Sequence, residues 1–318
     1  MILLSIIIPF YNRADLMTRM LDSLAPIRDD RVEIIFVDNN SNTQTREKIV
    51  LFIKTQLLNG NPTILSLIDQ QKKGAPAARN KGLSVAKGEY VCFFDSDDTF
   101  SPDVLDDFFD VIKTEQVDII ALHTYMVENR IVRRKNNSLD MDAAVHLVAN
   151  RFATQSFILN RQFALEKATW NETLYYWNDL EWAFRILLSF SSFKCLKGCY
   201  HYIYHHTQSI TGTSFSSHLS EITIAHDEIE NDINIYCENK KEVGRLKKAL
   251  ALRKSLYAGY IKKEGDFIGA KRVFDTVMPD KKEGVIFNLL TKSVFLLAGA
   301  GVKGVWRLAA AYLTLFHK

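Results

Sequence analysis

The sequence predicts a doubly wound α/β sheet flanked by helices, followed by an all-α C-terminal region. Three observations predict it. Apolar runs suited to buried strands alternate with helix-period segments over the first 100 residues. The runs end in polar residues, as strands do at the ligand-binding edge of an open sheet. After about residue 214 the strand signals stop and only helix-period segments remain. A chain of 318 residues with 47% hydrophobic and 24% charged content has the composition of a soluble globular protein, with room for two domains or one large one.

The elements follow in order. Residues 3–8 form a β-branched run closed by Pro9, and Phe10-Tyr11-Asn12-Arg13 forms the loop after it. Leu16, Met20, Leu21 and Leu24 recur at helical spacing over 14–24. A second strand over 32–37 ends in Asp38-Asn39-Asn40-Ser41, residues 45–58 are helical, and 63–68 is a third strand. Asp38 at a strand end suits a base or ribose contact, and equally a simple Asx turn before a helix. Gly74 opens a helix reaching Ala86, where small residues allow close approach to a ligand and Arg79 and Lys81 offer cations to a diphosphate. Residues 103–113 read as a helix, 118–125 as a strand and 130–137 as a polar, basic loop.

The fourth strand, 88–94, carries the chemistry. It is apolar from Tyr90 to Phe94 and then delivers Asp95, Asp97 and Asp98 within four positions. Carboxylates so close repel unless a cation neutralises them, and hard oxygen ligands suit Mg²⁺ or Mn²⁺. The competing reading, an acidic helix start at Ser101-Pro102-Asp103, accounts for Asp98 and Asp103 but poorly for Asp95 and Asp97. No G-x-G-x-x-G follows the first strand and no Walker-type glycine loop occurs, which disfavours dinucleotide and P-loop sites.

Four scattered cysteines exclude a disulfide framework, and the N-terminal strand lacks a basic n-region, so a reducing, cytoplasmic setting is expected. Cys195, Cys199 and the nearby histidines have spacing open to zinc, but Lys197-Gly198 reads as a hairpin turn between strands. The net charge of +3 is uneven: residues 240–318 carry 17 Lys/Arg against 6 Asp/Glu, a balance of +11, leaving −8 for the rest. A basic tail on an acidic body suggests an anionic partner such as a membrane surface or nucleic acid.

Four stretches in register carry a resemblance: Ser5-Ile6-Ile7-Ile8-Pro9-Phe10-Tyr11-Asn12, Ile35-Phe36-Val37-Asp38-Asn39-Asn40-Ser41, the run 74–83, and Phe93-Phe94-Asp95-Ser96-Asp97-Asp98. Together they resemble the family 2 inverting glycosyltransferases of the GT-A fold, strongly over the first 100 residues and more weakly to about residue 211. The resemblance implies a GT-A-type mixed sheet, a nucleotide-sugar donor, a divalent metal (Mn²⁺ or Mg²⁺) and inversion at the anomeric carbon. It implies that Pro9, Tyr11, Asn12 and Asp38 line the uridine pocket, Arg79 sits near the nucleotide, Asp95 faces ribose or metal, and Asp97 ligates the metal. Asn39-Asn40 departs from the more usual Asp-Gly. Residues 202–211 resemble the family's closing loop, where His205 or His206 would reach the metal or diphosphate. The implied organisation is a nucleotide-sugar-binding half over 1–100, an acceptor-binding half over 101–213 and a helical, membrane-associating region over 214–318.

A base must deprotonate the acceptor hydroxyl. In Trp177-Asn178-Asp179-Leu180-Glu181-Trp182-Ala183-Phe184-Arg185, Asp179 matches the second acid of the family's pair. Glu181 is the rival, but it can pair with Arg185 one helical turn on and fits a capping box with Asn178. Trp170, Tyr175, Tyr176, Trp177 and Trp182 supply rings for sugar stacking or for core packing.

Helices are expected over 219–238, 242–263, 267–277 and 285–316, with Gly265 and Pro279 between them. Were 285–318 a single helix, Lys292, Lys303, Arg307 and Lys318 would share an arc of roughly 80°, suiting an anionic membrane interface. No apolar run reaches the ~20 residues of a membrane span. The expected function is transfer of a sugar from a nucleotide donor, with UDP favoured, to a glycan or lipid-linked acceptor, on the inner face of the cell membrane and with no nucleic-acid partner. The absence of Q-x-x-R-W disfavours a processive synthase. The alternatives are a metal-dependent nucleotidyltransferase and a non-catalytic nucleotide-binding scaffold.

Overall fold

The computed structural model describes residues 1–135, 139–205, 214–277 and 284–315. The contacts divide the chain into two compact units, one of residues 1–139, 152–175 and 189–206, the other of 140–151, 176–188 and 207–318.

The first unit holds the sheet. β1 (Leu4–Phe10), α1 (Ala14–Leu24), β2 (Val32–Asp38), α2 (Thr43–Leu58), β3 (Ile64–Asp69), α3 (Ala75–Val85) and β4 (Tyr90–Phe93) alternate as expected. Next come α4 (Val104–Ile112), β5 (Ile119–Glu128) and β6 (Ile131–Arg134). In the second unit, α5 (Ala143–Ala149) follows; β7 (Phe157–Asn160) and α6 (Arg161–Lys167) return to the first. The strand order is β3-β2-β1-β4-β7-β5-β6. The four strands β3, β2, β1 and β4 are parallel, and β7 runs antiparallel to both β4 and β5. The sheet is therefore mixed, as expected. β1, β2 and β4 are buried along their length because both faces are covered, whereas the edge strand β3 is only partly buried. Leu4, Ile6, Ile8 and Phe10 pack with Met17, Met20, Leu21 and Leu24 of α1 and Phe108 of α4. Ile7 points to the other face, where α3 comes so close that a Cβ on Gly82 would lie 2.3 Å from Ile7 Cγ2. The register pairs Phe10 with Asp38 and Asp38 with Asp69, so three strands end together at one edge.

Two connections differ from expectation. The described part of 130–137 is not a loop: β6 pairs with β5 around a turn at Asn129 and Arg130, both left-handed (φ 49° and 65°). All four β6 residues are exposed, so no buried face marks the strand in the sequence. After α7 (Asn178–Ser189), Lys197-Gly198 makes no hairpin. One strand, β8 (Phe193–Tyr204), runs through it parallel to β5, and the pairing slips between Ala121/Cys195 and His123/Cys199, a bulge that absorbs the extra residues.

In the second unit α8 (Leu219–Tyr236), α9 (Lys240–Lys263) and α10 (Phe267–Asp275) follow the predicted helices. The last predicted helix is broken. α11 (Val285–Gly299) and α12 (Trp306–Leu315) are separate, with Gly301 and Gly304 at φ +80° and +76° between them. Left-handed glycines end helices, so the continuous axis that would align Lys292, Lys303 and Arg307 is lost. Pro279 and Lys318 lie outside the described residues. No helix among the described residues is long and apolar enough to cross a membrane.

Candidate active site

The strand ends of the first unit carry a set of interlocked loops. Asn12 and Arg13, after β1, are both left-handed (φ 52° and 65°). The Asn12 N–H donates to Ser41 Oγ at 3.0 Å, and its Oδ1 accepts the Asn42 N–H at 2.9 Å, tying this loop to the one after β2. Pro9 is buried within β1, whereas Tyr11 is 55% exposed at its end.

Asp38 is buried. Its Oδ1 accepts the Ser41 N–H at 2.8 Å, and Oδ2 pairs with Arg46 Nη1 at 2.6 Å; Arg46 also bridges to Asp69. The carboxylate thus pins the loop through the N–H three residues on, not the two of an Asx turn, and it keeps lone pairs for a further donor such as an imide or hydroxyl. Asn39 and Asn40, the departures from the usual Asp-Gly, each have a physical role. Asn39 Nδ2 donates to the Gln70 and Lys72 carbonyls at 3.1 and 2.7 Å, while Oδ1 accepts the Gly74 N–H at 2.7 Å. Asn40 sits at φ 65°, a left-handed position that Asn tolerates in place of Gly. Asn39 therefore holds the loop that starts α3.

The three carboxylates after β4 are differently engaged. Arg79 is buried and reaches from α3 to Asp95 Oδ1 at 2.6 Å; its guanidinium lies 4.1 Å from the centre of the Trp170 ring. Asp97 Oδ2 pairs with Arg13 Nη1 at 2.6 Å, and its carbonyl accepts from Arg19 Nη2 at 2.7 Å. Asp98 is buried, accepts the Tyr204 N–H at 2.9 Å and receives a bond from Gln155 Nε2, which also reaches Asp95 Oδ2 at 3.1 Å. Burial first, then the charges of Asp97 and Asp95, push the Asp98 carboxyl well above its usual range. Asp98 thus supports the strand end from behind, while Asp95 and Asp97 keep 31% and 16% of their side chains exposed.

Two partly exposed carboxylates suit a hard cation whose other ligands come from a diphosphate and water. Among the described residues no three His, Cys, Asp or Glu side chains gather as a metal set. His205 is exposed after β8, its N–H bonded to the Val127 carbonyl at 3.0 Å. Among the described residues, Cys195 and Cys199 are not part of any group of three such side chains. His206 and residues 207–211 of the expected closing loop lie outside the described residues.

In the second unit, α7 carries the candidate base. Glu181 is buried and paired with Arg185 at 2.7 Å, the expected one-turn pairing. Asp179, in the first turn, is half-buried. The buried Arg253 guanidinium lies against the Trp177 and Tyr257 rings, 4.1 and 4.5 Å from their centres, and the Asp179 carboxylate acts on that guanidinium through space. Trp170, Tyr176, Trp177 and Trp182 are all buried, so their rings are packing; Tyr175 alone of the five is well exposed, at 61%.

Sequence reasoning missed Arg13, Arg19 and Gln155. Arg13 directly follows a motif residue, a signal that was available. Gln155 comes from a short helical turn some 60 residues after the carboxylates it bonds, with no local signal.

The strand-end pair Asp95 and Asp97 thus faces arginines, one of them on the glycine-started helix α3. Residues 5–176 match the model of the family described as "Glycosyl transferase family 2", and the chain belongs to that family. It is 34% identical over 119 residues to the poly(ribitol-phosphate) beta-glucosyltransferase of Bacillus spizizenii, across 36% of this chain and 18% of that one. The chain matches its curated relatives over less than two-fifths of their length. Its fold is similar to S. aureus TarS 1–349 in complex with UDP-GlcNAc (TM-score 0.63, 19% identity, covering 99% of this chain and 93% of that one). It is also similar to the mannosyltransferase PcManGT from Pyrobaculum calidifontis in complex with GDP-Man and Mn²⁺ (TM-score 0.56, 14% identity, covering 99% and 88%).

Proposed function

We propose that the protein is an inverting glycosyltransferase that moves a sugar from a UDP-linked donor to a hydroxyl of a glycan or lipid-linked saccharide. The observation that carries this reading is the pair Asp95 and Asp97, partly exposed at the end of a central parallel strand and faced by Arg79 and Arg13. Within it, Tyr11, Asn12 and Asp38 receive the uracil and ribose beside the buried Pro9, Arg79 and Asp95 hold the nucleotide, and Asp97 with Asp95 holds Mn²⁺ or Mg²⁺. The metal supplies charge to stabilise the departing diphosphate. Arg79, fixed by Trp170, adds a preorganised cation at the same place.

Asp179 is the acceptor's base. Glu181 is buried and committed to Arg185, so it is not free to take a substrate proton. The first 100 residues serve the donor, 101–213 the acceptor, and the helical C-terminal region an anionic membrane surface, reached from the cytoplasm. A nucleotidyltransferase would release pyrophosphate, and a scaffold would release nothing.

The test is UDP release from a panel of UDP-sugars with Mn²⁺ and saccharide acceptors. Acceptor-dependent UDP release with one donor is expected, and Asp97→Asn should reduce it by at least about 100-fold. Pyrophosphate release, or full activity of Asp97→Asn, would overturn the reading.

A further inference from the structure

We infer that Arg13 is a resident cation on Asp97 that a divalent metal must displace, which couples metal binding to binding of the nucleoside diphosphate. The inference rests on the active-site reading above.

The two aspartates are paired unequally. The Arg79–Asp95 pair is built in: the arginine side chain is only 6% exposed and lies against Trp170. The Arg13–Asp97 pair, at 2.6 Å, is open, with side chains 32% and 16% exposed. Its arginine is nevertheless placed with care. Arg13 and Asn12 both take left-handed backbone angles, which cost free energy in residues other than glycine. Asn12 is bonded to Ser41 and Asn42 across the gap to the next loop, and this holds the conformation. On the other side, Arg19 grips the Asp97 carbonyl at 2.7 Å and stacks 3.4 Å from the centre of the Tyr204 ring, so the carboxylate is also held.

A guanidinium and a divalent cation repel each other at one carboxylate oxygen. Without nucleotide, metal binding must therefore break the Arg13 pair. A diphosphate changes the balance, because its oxygens match the guanidinium fork and offer Arg13 a new partner. Metal and diphosphate then favour each other's binding, and by linkage the effect is reciprocal.

The test is titration of the full chain with Mn²⁺, followed by the spin-resonance signal of free Mn²⁺, with and without UDP. For the wild type, UDP should tighten Mn²⁺ by about tenfold or more, within the usual range of coupling between sites. Arg13→Gln should bind Mn²⁺ alone about tenfold more tightly than the wild type, and lose most of the UDP enhancement. Arg13→Lys keeps the charge but loses the fork, so it should bind Mn²⁺ alone as weakly as the wild type and retain only part of the UDP enhancement. If Arg13→Gln binds Mn²⁺ alone no more tightly than the wild type, while the wild type binds it with UDP, this inference fails and the active-site reading stands. If the wild type binds no Mn²⁺ even with UDP, the metal reading fails and the inference with it.

Discussion

Asp232 is an aspartate that resists ionising. It is buried on α8 beside Glu181, itself buried and paired with Arg185. Burial first, then the Glu181 charge, push its carboxyl up to about 8, against the opposing pull of Arg185. Glu181 Oε2 and Asp232 Oδ2 have no donor between them if both are ionised, and one proton shared by the pair supplies it. The sign of the pH effect follows. Between about pH 4 and pH 8 the unfolded chain has released this proton while the folded chain keeps it, so the folded state binds more protons and stability falls as pH rises. The unfolding midpoint should therefore drop across that window, and Asp232→Asn should remove much of the drop, since the amide donates without titrating. An unchanged slope in the variant, read by thermal melts at several pH values, would show that the pair titrates otherwise. The Glu181–Arg185 half of this cluster was legible in the sequence, because one-turn spacing on a helix brings the two together. Asp232 was not, because it arrives from a helix some 50 residues later. The same division runs through the candidate site. Asp38, Arg79, Asp95 and Asp97 stand in local motifs, whereas Gln155 joins them only through the fold.

At the scale of elements, α11 poses the clearest question. Phe287, Thr291, Val294 and Ala298 are buried, yet Val285, Ile286, Leu289 and Leu296 on the opposite face are exposed. An ordinary surface helix would be polar there. The break at Gly301 and Gly304 removes the long basic stripe, so the proposed membrane binding would have to use this apolar face, with Lys292 beside it. The double substitution Leu289→Glu, Leu296→Glu should reduce binding to vesicles containing anionic lipid by at least about tenfold, since each exposed leucine is worth ~1.5–3 kcal/mol on full burial. Both positions are solvent-exposed, so the melting temperature should hardly move. Unchanged vesicle binding would remove the membrane role from this helix. Reading the chain recovered β1, β2 and β4 through their unbroken buried runs and α1 through its buried Met17, Met20, Leu21 and Leu24 at helical spacing. Those it missed lack that signature. β6 is exposed throughout, β8 loses its alternation at a bulge, and the 285–316 run hides a break because hydrophobicity alone does not reveal the backbone angles of Gly301 and Gly304.

At the scale of the whole molecule, the groups proposed for donor and metal all belong to the sheet-containing unit, and Asp179 belongs to the helical one. This division implies that donor binding and transfer are separable by mutation. Asp179→Asn preserves shape and removes only the capacity to take a proton. The variant should bind UDP within about twofold of the wild type, because it lacks none of the nucleotide contacts, while its kcat falls by roughly 10²–10⁴, the usual contribution of a positioned base. Asp97→Asn should instead weaken Mn²⁺-dependent UDP binding as well as turnover. The two variants thus have distinct signatures when nucleotide affinity is measured calorimetrically beside acceptor-dependent UDP release. Wild-type turnover by Asp179→Asn would place the base elsewhere, and Glu181 is a poor substitute because it is buried against Arg185. A large loss of UDP affinity in Asp179→Asn would mean that the helical unit also holds the nucleotide, and that the division of labour between the units is not the one their residues suggest.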